Sequence, residues 1–444
     1  MRSHNSNTTT VLQMCTKTAM LLTLSMLFLM AAPQIVIGET TEELQDKIEN
    51  NADEIERLNK EIANYQKELT SISKQSNTLA NEVKELDLTK KKLEANLRLT
   101  ETKIRQAEKD IVSLGGEIAN KTVTIEERSK LVAQSIREIH ESSELSLLEM
   151  LLSHASFTEA WSRIDHLQSF KEALRADAEE LVVAKTVLVD TREDVKKKRE
   201  ELLSLKTGLA DQKKILDANV AEKNALLKET KNQESLYAKM VADRQALVAA
   251  FEAEMRKYEE QLTYVAHPDT LPAPGSAPLS WPLASVTITQ QFGKTVDSVR
   301  LYASGSHSGV DFRASVGTPV YAMASGTVGG TGDTDASCRG ASFGKWVLIR
   351  YDNGLASTYG HLSLIKATNG QKVSRGDIVA YSGNTGHSTA PHLHVSMYPS
   401  DAVSVEGKES LACRGKILTQ PRAATTAYLD PLQYMPKATP SMYK

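Results

Sequence analysis

From Leu44 onward, apolar residues return at alternating intervals of four and three: Leu44, Ile48, Ile55, Leu58, Ile62, Leu69, Ile72, Leu79, Val83, Leu86, Leu93, Leu97, Ile104, Ile111, Leu114 and Ile118. This is a heptad seam, the signature of a helix that packs along one stripe against another helix. A continuous helix of that length would run about 110 Å at about 1.5 Å per residue. Asn51, Ser76, Lys90 and Thr100 interrupt the seam with polar side chains, which lower stability but fix register. Gly115 and Gly116 mark a weak point rather than an end, because helix-compatible sequence resumes at once. A second seam carries Leu174, Leu181, Leu188, Val195, Leu202, Leu209 and Leu216, one apolar residue every seven, and fades into Leu227, Val241, Phe251 and Leu262. The stretch between them, with Leu147, Leu148, Leu151, Phe157, Trp161 and Ile164, is too apolar for a two-stranded seam. It reads either as short helices closing the tip of an antiparallel hairpin or as a docking face. The pattern therefore predicts a coiled coil over 40–265 with a helical tip around 140–170.

The periodicity then changes. Pro268, Pro272, Pro274 and Pro278 punctuate residues 266–280, which read as a semi-rigid linker. Beyond Trp281 come short β-type runs (V286–T289, W346–Y351, D377–Y381 and H392–M397) separated by Gly-containing turns. Residues 281–436 are thus expected to form a mainly antiparallel β domain, long enough for its own core, with 437–444 as a tail. The fold class predicted is multidomain: a helical coiled-coil hairpin followed by a β domain.

Composition adds little to this and excludes something. Aromatic residues are 5% and charged residues 25%, which suits an extended helical array better than two large cores. A net charge of -3 gives no ground for nucleic-acid binding. Residues 1–38 contain no acidic residue, and Arg2 and Lys17 precede an apolar run from Ala19 to Ala32. This is the layout of a signal peptide, with an uncleaved signal anchor as the alternative. Both place the rest of the chain outside the cytoplasm: secreted, periplasmic or associated with the cell envelope. Cys15 falls in that leader, leaving Cys338 and Cys413 as the thiols of the remaining chain. In an oxidising compartment they are candidates for one disulfide; two free thiols are the alternative.

The chemistry concentrates near the C-terminal end, at His307, Asp311, His361, His392 and His394. On a strand, residues two or four apart face the same side, so His307 and Asp311 would project together over open space at Gly309, and His392 with His394. Two imidazoles and a carboxylate suffice to hold one catalytic zinc with a fourth position left open. The other two histidines would then handle protons. His387, His140, His154 and His166 show no ligand spacing, and His387 is expected at the rim of the cluster.

These motifs, H307-S-G-V-D-F, G317-T-P-V-Y-A, Y359-G-H-L-S, V373-S-R-G-D and G383-N-T-G-H-S-T-A-P-H-L-H, together resemble the lysostaphin/LytM-type zinc metallopeptidases. The resemblance covers roughly 281–436. It implies that His307, Asp311 and His394 bind Zn²⁺, one ion per catalytic domain, while His361 and His392 are catalytic. Which of those two is the base and which stabilises the oxyanion stays open. It also implies a small antiparallel sheet with an open groove and a substrate in the peptides of bacterial peptidoglycan. The whole layout is similar to the murein hydrolase activators of the division machinery. That likeness implies an alternative: a non-hydrolytic activator of a murein amidase, recruited through its coiled coil to a membrane division or transporter-like complex. The intact set of five polar residues favours a zinc endopeptidase, with the coiled coil gating its groove. One departure stands out. After the His-x-His pair the family commonly has Phe-Glu, where this chain has Val395 and Ser396. The change bears on what supports the histidines rather than on the ligands themselves.

Overall fold

Helices account for the first half of the chain because their apolar residues keep the 3.5-residue period, and strands for the second because theirs alternate. A computed structural model describes residues 41–72, 78–142, 157–262, 264, 271–295, 298 and 305–443. The expected leader and most of the apolar tip (143–156) lie outside the described residues. Two compact units divide after Asn50; of the first, only the opening of one helix is described, and everything below belongs to the second. Among the described residues are four α-helices: α1 (Thr41–Ile72), α2 (Leu79–Ser142), α3 (Phe157–Thr230) and α4 (Glu234–Gln261). No helix among the described residues is long and apolar enough to cross a membrane.

Helices α2 and α3 form the antiparallel pair that the two seams predict. Ile125 packs with Leu181 and Leu188, and Lys198 and Lys206 reach Asp110 and Glu108. Helix α2 runs unbroken through Gly115 and Gly116. The first seam, however, is not one helix. It stops at Ile72, resumes at Leu79, and α1 folds back along α2, with Asn51 bonded to Gln106 and Arg98 to Glu61. The break has a local cause: Ser71, Ser73, Ser76, Asn77 and Thr78 are poor helix residues. Thr78 also caps α2 by accepting from the Asn81 amide. The second seam breaks likewise where Lys231 and Asn232 take left-handed backbone conformations between α3 and α4. At the expected tip, Trp161 and Phe170 are 61% and 44% exposed, so this described part of the stretch is not core.

The β domain is a nine-stranded antiparallel sheet. Its spine is β1 (Ile288–Gln290), β2 (Val310–Arg313), β9 (His392–Pro399), β6 (Leu355–Ile365), β5 (Lys345–Tyr351), β4 (Gly326–Asp333) and β7 (Lys372–Val373), in that order. β3 (Pro319–Tyr321) pairs with β8 (Ile378–Ser382), which joins β6. Alternation separates two faces. Val310, Phe312, Val347, Ile349, Leu393, Val395 and Met397 fill the main core. Trp346, Leu348, Ala356 and Tyr398 form a smaller core on the opposite face. The expected class, a long helical region followed by an antiparallel β domain, is the architecture observed.

The Pro-rich segment departs from an open linker. In its described part, Leu279 is fully buried in the main core, and the Gly275 and Leu279 amides donate to the Gln433 and Tyr434 carbonyls. Residues 271–280 are therefore part of the domain. A separate hairpin, β10 (Val403–Ser410) with β11 (Lys416–Ala423), follows the sheet. A disulfide joins Cys338 to Cys413, tying the hairpin to the loop after β4.

The helices contact this domain at several places, two of them apolar. Near the start of α2 and the end of α3, Leu93 and Ile215 bury against Tyr381, while Lys92 bonds Ser315 and Asp211 accepts from the Tyr381 hydroxyl. Further along, α4 lies on the hairpin. Phe251 packs with Cys338, Cys413 and Leu418, Glu254 accepts from the Leu411 and Ala412 amides, and Glu259 from the Tyr428 hydroxyl at 2.7 Å.

Candidate metal centre and active site

Strand β9 presents His392, His394, Ser396 and Tyr398 on one face while Leu393, Val395 and Met397 enter the main core. Strand β2 is antiparallel to it with Asp311 opposite His394. This register alone brings a carboxylate to the second histidine of the pair. His307 arrives differently from the strand expectation: it precedes β2, at an isolated bridge to Gly293, with bends at Ser308 and Gly309. The space over Gly309 is not open either. A side chain there would meet the Val395 carbonyl and the His394 ring, so only glycine lets the histidine lie across the chain.

His307, Asp311 and His394 are all buried, and their ligand atoms lie within 4.8 Å of one another. Asp311 Oδ1 is 2.9 Å from His394 Nδ1 and 3.3 Å from His307 Nε2, and the two ring nitrogens are 3.1 Å apart. The donor set suits zinc: two imidazole nitrogens and one carboxylate oxygen converge on one point. Each ring is held from behind. His307 Nδ1 is 3.0 Å from the Gln291 carbonyl, and His394 Nε2 is 2.8 Å from Ser396 Oγ. Burial pushes Asp311 up, but the charges of His392 and His307 and the histidine hydrogen bonds outweigh it and hold the carboxylate well below its usual range. Burial also pushes the His394 imidazole below its ordinary value, keeping it the neutral donor a metal needs.

His361 and His392 complete the cluster, their rings 4.6 Å apart. His361 sits at a bulge in β6, with a left-handed φ of 59°. A non-glycine residue held there carries roughly 1–3 kcal/mol of strain, a feature that concentrates at functional sites. The bulge re-aims the ring, whose Nδ1 is 2.8 Å from the Thr385 carbonyl. Burial, with His392 and His394 close by, pushes this imidazole well below its ordinary value. His392 Nδ1 is 2.8 Å from the Ala390 carbonyl, and its Nε2 lies 3.6 Å from Asp311 Oδ1. His392 and Asp311 open on a cavity of about 840 Å³ roofed by residues of all four helices, among them Lys92, Glu85, Glu222 and Glu252.

All five expected residues are brought together. His387 stands at the rim and pairs with Glu252 of α4 at 3.1 Å; His140 and His166 lie on exposed helix positions and His154 lies outside the described residues. Sequence reading missed the carbonyls of Gln291, Thr385 and Ala390, whose positions depend on distant chain segments. Ser396, singled out in the sequence as a departure bearing on what supports the histidines, is the residue that meets His394 Nε2.

Residues 305–406 match the sequence profile of Peptidase family M23. The DD-carboxypeptidase/endopeptidase Mpg of Neisseria meningitidis serogroup B is 35% identical over 128 residues, 28% of each chain. The peptidoglycan DD-endopeptidase ShyA of Vibrio cholerae is 42% identical over 91 residues, 20% of each chain. The catalytic domain of lysostaphin from Staphylococcus simulans aligns at 26% identity over 34% of this chain and 92% of its own, with a TM-score of 0.25. The match thus spans about a quarter of the curated relatives' length. It includes all five site residues.

Proposed function

We propose that the C-terminal domain, a Peptidase family M23 domain of LytM/lysostaphin type, works as a zinc endopeptidase on the peptides of bacterial peptidoglycan. The observation that carries the reading is the convergence of His307, Asp311 and His394 within 4.8 Å, with His361 and His392 beside them. Zinc in such a site supplies a Lewis acid that polarises a carbonyl and brings the pKa of bound water to about 7. The chain's own groups do the rest. His307, Asp311 and His394 would hold the ion. His361 and His392, each anchored through Nδ1, would present Nε2 to the reacting atoms, one taking a proton and the other steadying the oxyanion or protonating the leaving amine. Their anchoring carbonyls fix the tautomer, because each accepts a hydrogen bond from Nδ1–H.

The helical region is proposed as a gate. Its support is the roofed cavity: helices lie over the mouth of the groove, and α4 is fixed to the domain by Phe251, Glu254 and Glu259. Opening would give a polymer wider access to the site than the roofed cavity does. The coiled coil is also the element through which a membrane division complex would act, in an extracytoplasmic setting. A second reading keeps the domain non-hydrolytic and lets it activate a murein amidase through the same opening.

Incubating the full chain and residues 271–444 with peptidoglycan sacculi, with and without a zinc chelator, separates these readings. New peptide termini seen by mass spectrometry and abolished by chelator are expected. Their absence from a folded, zinc-loaded fragment would leave the activator reading.

A further inference from the structure

Alternation on β2 sends Val310 and Phe312 into the main core and leaves Asp311 and Arg313 on the groove side. The ladder sets Arg313 opposite His392, as it sets Asp311 opposite His394. Arg313 therefore stands about 7 Å along the strand from Asp311, and it lines the same cavity of about 840 Å³ onto which His392 and Asp311 open. Its amide donates to the Thr287 carbonyl, but its guanidinium has no hydrogen bond or ion pair among the described residues. Lys92 lines this cavity from α2. It bonds the neutral side chains of Gln66 and Ser315, the latter two residues beyond Arg313, and has no carboxylate partner among the described residues. The carboxylates of the roof do not supply the missing charge. Glu82, Glu85 and Glu222 gather round a smaller cavity of about 190 Å³ that neither Arg313 nor Lys92 lines. There Arg244 offsets Glu82 and Arg339 offsets Glu222, while Glu252 is engaged by His387.

We propose that Arg313, assisted by Lys92, forms a carboxylate-binding subsite beside the active site, selecting peptides that carry a free carboxylate close to the scissile bond. This rests on the endopeptidase reading above and names the class of substrate it takes, an acidic peptide. The chemistry is direct. A guanidinium offers a planar fork of N–H donors that matches the two oxygens of a carboxylate, and the pair is strengthened by opposite charge. A carboxamide offers the same fork one acceptor oxygen and no charge. A cavity of this volume is large enough for a short peptide, and in it the peptide's carboxylate would be the first counter-charge that Arg313 meets.

Two synthetic tetrapeptides of one peptidoglycan stem sequence, one with its carboxylates free and one with them amidated, test the subsite. Their Kd values are measured by calorimetry on the full chain with a zinc chelator present, so that binding is read without cleavage. The acidic peptide should bind about 10- to 100-fold more tightly than the amidated one. Arg313→Gln should bring that ratio close to one, and Arg313→Lys, which keeps the charge and loses the fork, should retain part of it. Lys92→Gln should lower the ratio by less than Arg313→Gln does. A parent chain that binds both peptides alike, or neither, would overturn the proposal. So would an Arg313→Gln form that keeps the preference, or glutamine and lysine forms that weaken both peptides equally, which would mean packing alone. The outcome is separable from the endopeptidase reading. A chain that prefers the acidic peptide and cuts nothing sinks that reading as hydrolysis and keeps the subsite; one that cuts sacculi and ignores the carboxylate does the reverse.

Discussion

The groove and the helical roof over it are both buried, yet they are built on opposite terms. In the groove each imidazole is anchored at one nitrogen: His307 by Gln291, His361 by Thr385, His392 by Ala390 and His394 by Ser396. The carboxylate among them, Asp311, is surrounded by partners. In the roof, burial acts on charges that are poorly compensated. It pushes Lys92 down to about 8, and Glu85 and Glu259 up to about 7. The groove is over-determined, as a site that must hold geometry has to be. The roof buries charges that its surroundings compensate less fully.

The largest test of this contrast removes a groove side chain. Asp311→Asn should abolish zinc binding and hydrolysis together, whereas His392→Ala should keep the ion and lose about 10²- to 10⁴-fold in kcat. Metal content by mass spectrometry alongside turnover separates them. Gly309→Ala comes next. Its methyl group would strike the Val395 carbonyl and the His394 ring, so zinc affinity should fall although no ligand has changed; calorimetric titration with zinc checks it.

On the roof the effects should be smaller and of opposite sign. Phe251→Ala removes the anchor of α4 from the disulfide-linked hairpin and should raise hydrolysis of sacculi by the full chain, about tenfold for each 1.4 kcal/mol taken from docking. Residues 271–444 would mark the upper limit, and equal rates for parent and variant would dismiss the gate. The smallest effect is that of pH. Glu259, buried against the domain beside Tyr428, binds its proton more tightly when the roof is docked, so docking is favoured at low pH and weakens as pH rises from about 4.5 to about 7. Lys92 binds its proton less tightly when docked, so docking recovers only as pH rises from about 8 toward 10.5. The docked form should therefore be weakest between about pH 7 and 8. The ratio of full-chain to fragment rates across pH, which cancels the chemistry of the site, should peak there.

The helices were legible because Leu181, Leu188 and Val195 obey one seven-residue period, and their burial follows it. The reversal after Ile72 was not, because Ser76 and Leu79 continue the spacing across a gap where propensity, not pattern, decides. Strand β9 was readable from the alternation of Leu393, Val395 and Met397 with His392 and His394. The position of His307 outside β2 was not, since a bend at Ser308 and Gly309 replaces the strand geometry that an i, i+4 pair suggests. Nor could any local signal reveal that α4 would lie on the hairpin: Glu254 meets amides more than 150 residues away.

The root formed by Leu93, Ile215 and Tyr381 has a mechanical meaning. From Leu93 to the end of α2 at Ser142 the helix rises about 74 Å at 1.5 Å per residue. Under the proposed gate, that length would act as a lever arm, with its fulcrum on the sheet and its load on the contacts beside the fulcrum. A sideways pull at the far end exerts torque in proportion to the arm, so a weak force there can dislodge contacts that a push at the root would leave in place. Deleting matched heptads from α2 and α3 would shorten the arm while leaving every contact with the domain unchanged, turning sensitivity to force into a quantity set by chain length.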